Sequence, residues 1–195
     1  RCRAHLFHAV AMMEKETLIQ TSPLYGRRTG DWLVTSLKFR DFLKFFPSIK
    51  IEDAIYLYSI VGGIPEYILK LDKTIDLRNN ILSIIRKGSP LYKEVEFCIK
   101  EELTEPHNYF AILKAIAFGK NKQNEIVNYT GLNKGIVSKY LSVLENLQLI
   151  KRIAPITENI EKTRRSIYII CDHYFRFWFR FCFPNKSLLE EGREE

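Results

Sequence analysis

The chain holds little cysteine and little histidine, four of each in 195 residues. Cys2, Cys98, Cys171 and Cys182 form no C-x-x-C pair, and the histidines do not stand at metal-ligand spacing. A zinc site of the finger or ribbon kind is thereby excluded. Scattered cysteines without a framework argue against a disulfide-stapled secreted domain and fit a reducing cytosol, so a cytoplasmic protein is expected. No apolar run approaches the ~20 residues that a membrane-spanning helix needs. The longest candidate, residues 175–183, is interrupted by Arg176 and Arg180. Neither a secretory signal, an internal repeat nor a low-complexity tract is visible. Acidic residues are the minority, 23 against 30 Lys and Arg, for a net charge of +7. Such a balance suits an anionic partner, a nucleic acid or a nucleotide. It also suits a solubilising surface with no partner at all.

Against these absences stands an ordinary share of apolar residues, 46%, enough for a core. The patterning is mostly helical. Residues 12–19 read as a short helix, followed by the turn-rich loop SPLYGRRTG at 22–30. Residues 32–37 alternate and read as a strand. Phe39, Phe42, Leu43 and Phe46 recur at helical spacing up to Pro47. Ala54, Ile55, Leu57, Tyr58 and Val61 mark a helix over 52–61. It runs into Gly62-Gly63-Ile64-Pro65, where the fixed φ of Pro65 suits the first turn of a helix over 66–71. Further helices are expected at 77–86 and 92–102, separated by Gly88-Ser89-Pro90.

The clearest unit spans 109–172. A helix over 109–118 closes at Gly119, and a short one follows over 125–129. The turn Thr130-Gly131-Leu132-Asn133 then leads, with Asn133 as N-cap, into a helix over 134–148 with Val137, Leu141 and Leu144 as its core stripe and Ile136, Tyr140 and Leu147 flanking. Two strands, 149–156 and 165–170, flank a polar loop. Helix, helix, turn, helix and β-hairpin in that order predict a winged helix-turn-helix. Beyond it, DHYFRFWFRFCFPN alternates like a strand. Asp172 as a start and Pro184 as a stop favour a helix, with Tyr174, Phe175, Trp178, Phe179 and Cys182 on one face. With Tyr168 these aromatics read as core at a junction with a further domain. A base-stacking platform is the other reading, and exposure as an apolar patch is expected if that domain is absent.

Four segments together resemble the archaeal-type P-loop ATPases of the AAA/STAND kind that carry a C-terminal winged helix and a restriction-endonuclease-like domain of unknown function. They are MMEKETLIQTSPLYGRRTG, YSIVGGIPEYILKLD, GLNKGIVSKYLSVLENLQLIKRIAPI and KTRRSIYIICDHYFRFWFRFCFPNKSLLEEG. The resemblance implies a mainly α fold, the helical lid of a P-loop ATPase followed by a winged helix-turn-helix with a small β-hairpin. It divides the chain at 1–104 (C-terminal part of the ATPase domain), 105–171 (winged helix) and 172–195 (start of a further domain). It implies ATP and magnesium for an intact parent. This chain has no G-x-x-x-x-G-K-[ST] loop to cradle phosphates, so no cofactor is expected to bind it alone. The reading is of a fragment whose partners are the missing ATPase core and C-terminal domain. The alternative is a non-functional remnant of a disrupted gene.

In phosphoryl transfer an arginine stabilises charge on the γ-phosphate, and the resemblance gives that catalytic role to Arg27 and Arg28; pairing with Glu14 or Asp31 is the structural alternative. It gives nucleotide contact to Gly62, Gly63 and Pro65, which otherwise make a helix–helix turn. In the winged helix, Lys134, Ser138, Lys139 and Ser142 occupy the polar face of the recognition helix, and Lys151, Arg152, Lys162, Arg164 and Arg165 cluster at the wing. These residues suit double-stranded DNA, reaching base edges and phosphates. A solvated face used for protein docking is the competing reading, and Glu145, Glu158 and Glu161 dilute the patch.

Overall fold

A computed structural model describes residues 35–159, 163 and 165–193. Within them the chain is mainly helical. The order is α1 (Phe39–Phe45), α2 (Ile51–Val61), α3 (Pro65–Ile68), α4 (Leu77–Ile85), α5 (Glu94–Glu102), α6 (Pro106–Ala117), α7 (Gln123–Thr130), α8 (Lys134–Asn146), β1 (Ile150–Ile153), β2 (Ile167–Ile170) and α9 (His173–Phe177). A π-helical turn (Trp178–Cys182), a 3-10 turn (Phe183–Asn185) and α10 (Lys186–Glu190) complete it.

The expected helix at 12–19, the loop at 22–30 and Arg27 and Arg28 lie outside the described residues, as do Trp32, Leu33 and Val34 of the expected strand. Residues 35–38 are described and belong to no strand. They run instead as a connector beside the glycine turn, where the Leu37 N–H donates to the Gly63 carbonyl at 2.8 Å.

The helical boundaries follow local chemistry. Asp76 caps α4 by accepting the Asn79 N–H at 2.8 Å, and Asn133 caps α8 by accepting the Ile136 N–H at 2.8 Å. Each satisfies a donor that the first helical turn cannot. Pro65 and Pro106 open α3 and α6, where a missing N–H costs nothing. Helix α7 ends on Gly131 at φ 71°, the left-handed conformation that glycine adopts freely.

Helices α6, α7 and α8 pack together, and β1 and β2 pair antiparallel from Ile150–Ile170 to Ile153–Ile167. This is the winged helix-turn-helix. Its core takes Ile112, Leu113 and Ile116 from α6, Ile126 from α7, and Val137, Leu141 and Leu144 from α8, all buried. The hairpin is shorter than the alternation of residues 149–156 and 165–170 suggests. It is tied to the helices by the Tyr168 N–H, which donates to the Asn121 carbonyl at 2.8 Å.

Asp172 starts α9 as expected, accepting the Phe175 N–H at 2.9 Å. Tyr174, Phe175, Trp178, Phe179 and Cys182 are all buried on one side, and α9 packs on α2 while the π turn packs on α6. The Tyr174 hydroxyl reaches the Leu91 carbonyl at 3.1 Å. The expectation of an exposed apolar patch is corrected here: the block is core of this chain, and Tyr168 is half-buried. Pro184 is likewise not a stop. The Phe183 N–H bonds back five residues to the Trp178 carbonyl, and this wide turn passes the chain into a 3-10 turn that holds the proline. The Asn185 side-chain amide donates to the Phe181 carbonyl at 2.9 Å, and α10 follows directly.

Candidate nucleic-acid interface

Helix α8 has 13 residues, about 20 Å of length at ~1.5 Å per residue. Val137, Tyr140, Leu141 and Leu144 bury one face. Lys134, Ser138, Lys139 and Ser142 are all exposed, so the four predicted residues share the outer face. Two further residues join them that the sequence did not single out for this role. Gln123, at the start of α7, donates its side-chain amide to the Ser138 hydroxyl. Ile136 flanks the core stripe in the sequence pattern, yet is 37% exposed.

Tyr140 is fixed from behind. Its hydroxyl donates to the Glu105 carboxylate and accepts from the Asn108 amide at 3.1 Å, and its ring meets Tyr109 edge-on at 4.4 Å. Glu105 stands in the left-handed region at φ 58°, a conformation that strains a non-glycine residue. The residue connecting α5 to α6 is thus tied to the helix that presents the polar face. The hydrogen bond to Glu105 holds the Tyr140 proton and raises the phenol above its ordinary pKa.

At the wing the predicted cations separate into three situations. Lys151 is exposed. Arg152 is half-buried and turned along the hairpin, its Nε donating to the Ser166 hydroxyl at 2.7 Å and a terminal nitrogen to the Thr163 carbonyl at 3.2 Å. Arg165 is exposed and pairs with Glu158 at 3.0 Å. Lys162 and Arg164 lie outside the described residues. The hairpin spacing could not show that Arg152 braces the wing, because strand alternation alone does not say which cation meets a buried hydroxyl.

The glycine turn has its own geometry. A Cβ on Gly63 would stand 1.9 Å from the Leu37 carbonyl oxygen, and one on Gly62 2.6 Å from His173 Nδ1. Gly62 also has φ 65°. The Tyr58 hydroxyl donates to the same Leu37 oxygen at 2.8 Å. Both glycines are therefore required for close packing within the chain. Beside them lies a cavity of about 350 Å³, lined by Tyr58, Gly62, Gly63, Tyr67, Lys151, Asp172, His173 and Phe175 among others. Pro65 does not line it. Burial pushes the Asp172 carboxyl up to about 6, against the backbone N–H groups of Phe175 and Tyr174 that favour its charged form. Burial and then Arg176 push His173 down. Among the described residues no cluster of His, Cys, Asp and Glu could hold a metal ion, and no helix is long and apolar enough to cross a membrane.

Comparison with known proteins agrees with this geometry. Residues 110–152, from within α6 to β1, match the family model described as bacterial regulatory protein, arsR family. The chain is also similar to an uncharacterized protein of Methanocaldococcus jannaschii, at 38% identity over 192 residues. That alignment covers 94% of this chain and 42% of the relative, so the chain spans less than half of the relative's length. No solved structure matches the chain.

Proposed function

We propose that the winged helix binds double-stranded DNA through the outer face of α8. The observation that carries this reading is the segregation on α8: Lys134, Ser138, Lys139 and Ser142 are exposed, while every apolar residue of the core stripe is buried. A helix, about 10–12 Å across with its side chains, fits the major groove, about 12 Å wide. Serine hydroxyls and lysine ammonium groups there reach base edges and phosphates, and the apolar Ile136 suits a thymine methyl. Lys151 and Arg165 extend the contact along the backbone, and Arg152 holds the wing in shape. The match to a regulatory-protein family over 110–152 supports the reading. Titration of a labelled duplex at several salt concentrations tests it. Binding that weakens with salt, and weakens again in Lys139→Glu, supports the proposal; salt-insensitive or absent binding refutes it.

A second reading rests on the cavity beside Gly62 and Gly63. Its apolar walls and the Asp172 carboxylate fit the flat, donor-bearing base of a nucleotide, and Lys151 suits a phosphate. We propose that in a longer protein with its own phosphate loop, ATP with magnesium would place its base here. This chain supplies no phosphate loop, so it is expected to bind nucleotide negligibly by itself. Calorimetry with ATP and magnesium checks that expectation: measurable binding by the chain alone would contradict it. Nucleotide binding by the longer protein should weaken when Lys151, the phosphate contact, is replaced.

A further inference from the structure

The surface of α6 carries a strip of rings and cations to which α8 and the wing contribute nothing. Tyr129, from α7, stacks on Phe118 with centroids 6.4 Å apart and planes 25° apart. The Arg180 guanidinium lies 4.5 Å from the Phe118 centroid. Lys114 Nζ stands between two rings, 5.9 Å from Phe118 and 5.8 Å from Phe183. Phe183 then stacks with Phe110 at 5.5 Å and 29°. The strip thus runs continuously from Tyr129 to Phe110.

Packing within the fold accounts for Phe110 and Phe183, which are half-buried and adjoin Trp178. It does not account for Tyr129, 41% exposed, or for the charges. No described carboxylate pairs with Lys114 or Arg180. The nearby carboxylate of Glu96 is taken by Lys100 and Lys186, so the middle of the strip keeps its positive charge. At its Phe110 end a shallow groove of about 340 Å³ opens between Phe110, Phe183 and the lysines.

We propose that this strip binds single-stranded nucleic acid. Lys114 and Arg180 meet the phosphates, and an unpaired base stacks on the exposed ring of Tyr129. An exposed ring beside two cations is what an unpaired strand can use, because its bases expose their faces. In a duplex those faces are covered by neighbouring base pairs, so this surface discriminates between paired and unpaired strands. An acidic peptide would satisfy the cations but has no use for the exposed ring of Tyr129 beside them.

The test is anisotropy of a labelled oligothymidine of about fifteen nucleotides, the upper size for one such platform, titrated with the full chain. Salt of about 50 to about 200 mM is varied alongside. The strip requires binding that falls about tenfold or more in Arg180→Glu and about tenfold in Tyr129→Ala, and that persists in Tyr129→Phe and in Lys139→Glu. Arg180 and Tyr129 are exposed, and an unchanged thermal melt of each variant shows that the fold is kept. Three outcomes overturn the proposal. One is no oligothymidine binding. A second is binding lost in Lys139→Glu but indifferent to Arg180→Glu, which moves it to α8. The third is binding of polyglutamate that depends on Arg180 while Tyr129→Ala changes nothing, which makes the surface a peptide site. Loss of duplex binding in Lys139→Glu with oligothymidine binding intact would show that the two surfaces are independent.

Discussion

Gly63→Ala is expected to unfold this protein far more readily than its single added methyl suggests. The new Cβ would stand 1.9 Å from the Leu37 carbonyl oxygen and 2.7 Å from the Leu37 nitrogen. Both neighbours are backbone atoms that cannot rotate aside. An ordinary contact needs well over 3 Å, so connector and turn must separate by more than 1 Å. That separation breaks the Leu37 N–H to Gly63 carbonyl bond and the Tyr58 hydroxyl to Leu37 carbonyl bond, each 2.8 Å long. Two hydrogen bonds at about 0.5–1.5 kcal/mol each, with overpacking of about 1–3 kcal/mol, give a loss of about 2–6 kcal/mol. At about 2–4 °C per kcal/mol for a chain of this size, the melting temperature falls by about 4–24 °C. The assay is thermal unfolding followed by circular dichroism, with Gly88→Ala as control. Gly88 has φ 93° and open space where an added Cβ would sit, so it carries only the conformational penalty, about 1 kcal/mol. A Gly63→Ala melt no lower than that of Gly88→Ala would refute the packing argument.

Three further outcomes follow from the same structure. The raised Asp172 carboxyl, about 6 in the fold against an ordinary 3.8, binds a proton more tightly folded than unfolded. Its contribution is therefore present below about 3.8 and lost as pH rises through about 6, at most about 3 kcal/mol. Denaturant melts of wild type and Asp172→Asn should diverge in favour of the variant between about pH 4 and about pH 7; parallel curves would contradict the assignment. Arg152→Ala should destabilise by about 1–2 kcal/mol through loss of its bonds to Ser166 and Thr163, whereas Lys151→Ala should leave urea midpoints within about 0.5 kcal/mol; equal effects would remove the bracing role. Tyr140→Phe strips the partner from Glu105 and Asn108 and should cost about 1–3 kcal/mol, measured in the same way.

Much of this architecture was legible where one local signal had no competitor. Asn133 and Asp172 cap their helices because a side-chain acceptor ahead of an apolar run has one use. Val137, Leu141 and Leu144 are buried because 3.6-residue spacing admits a single face. Reading failed where the outcome depended on a distant partner. Residues 35–37 alternate like a strand, but no strand lies beside them among the described residues; their partner is the glycine turn. Pro184 looks like a stop, yet the preceding π turn makes room for it. Arg152 and Lys151 are adjacent and alike in sequence, and only Ser166, buried across the hairpin, separates a brace from a free cation. The outer face of α8 was readable from the residues, whereas the strip from Tyr129 to Phe110 was not. Its members come from four segments that only the packing of α6 against α7 and the π turn brings together.

The most direct measurement of the central claim is the affinity of the full chain for duplex DNA as a function of salt, in wild type and Lys139→Glu. If α8 and the wing meet the phosphates, log affinity falls linearly with log salt, with a slope of about −0.9 for each phosphate neutralised. Lys139→Glu then lowers the affinity and makes the slope shallower by about 1, with an unchanged melt. A slope near zero, or one identical in the two proteins, would mean that this face does not hold DNA.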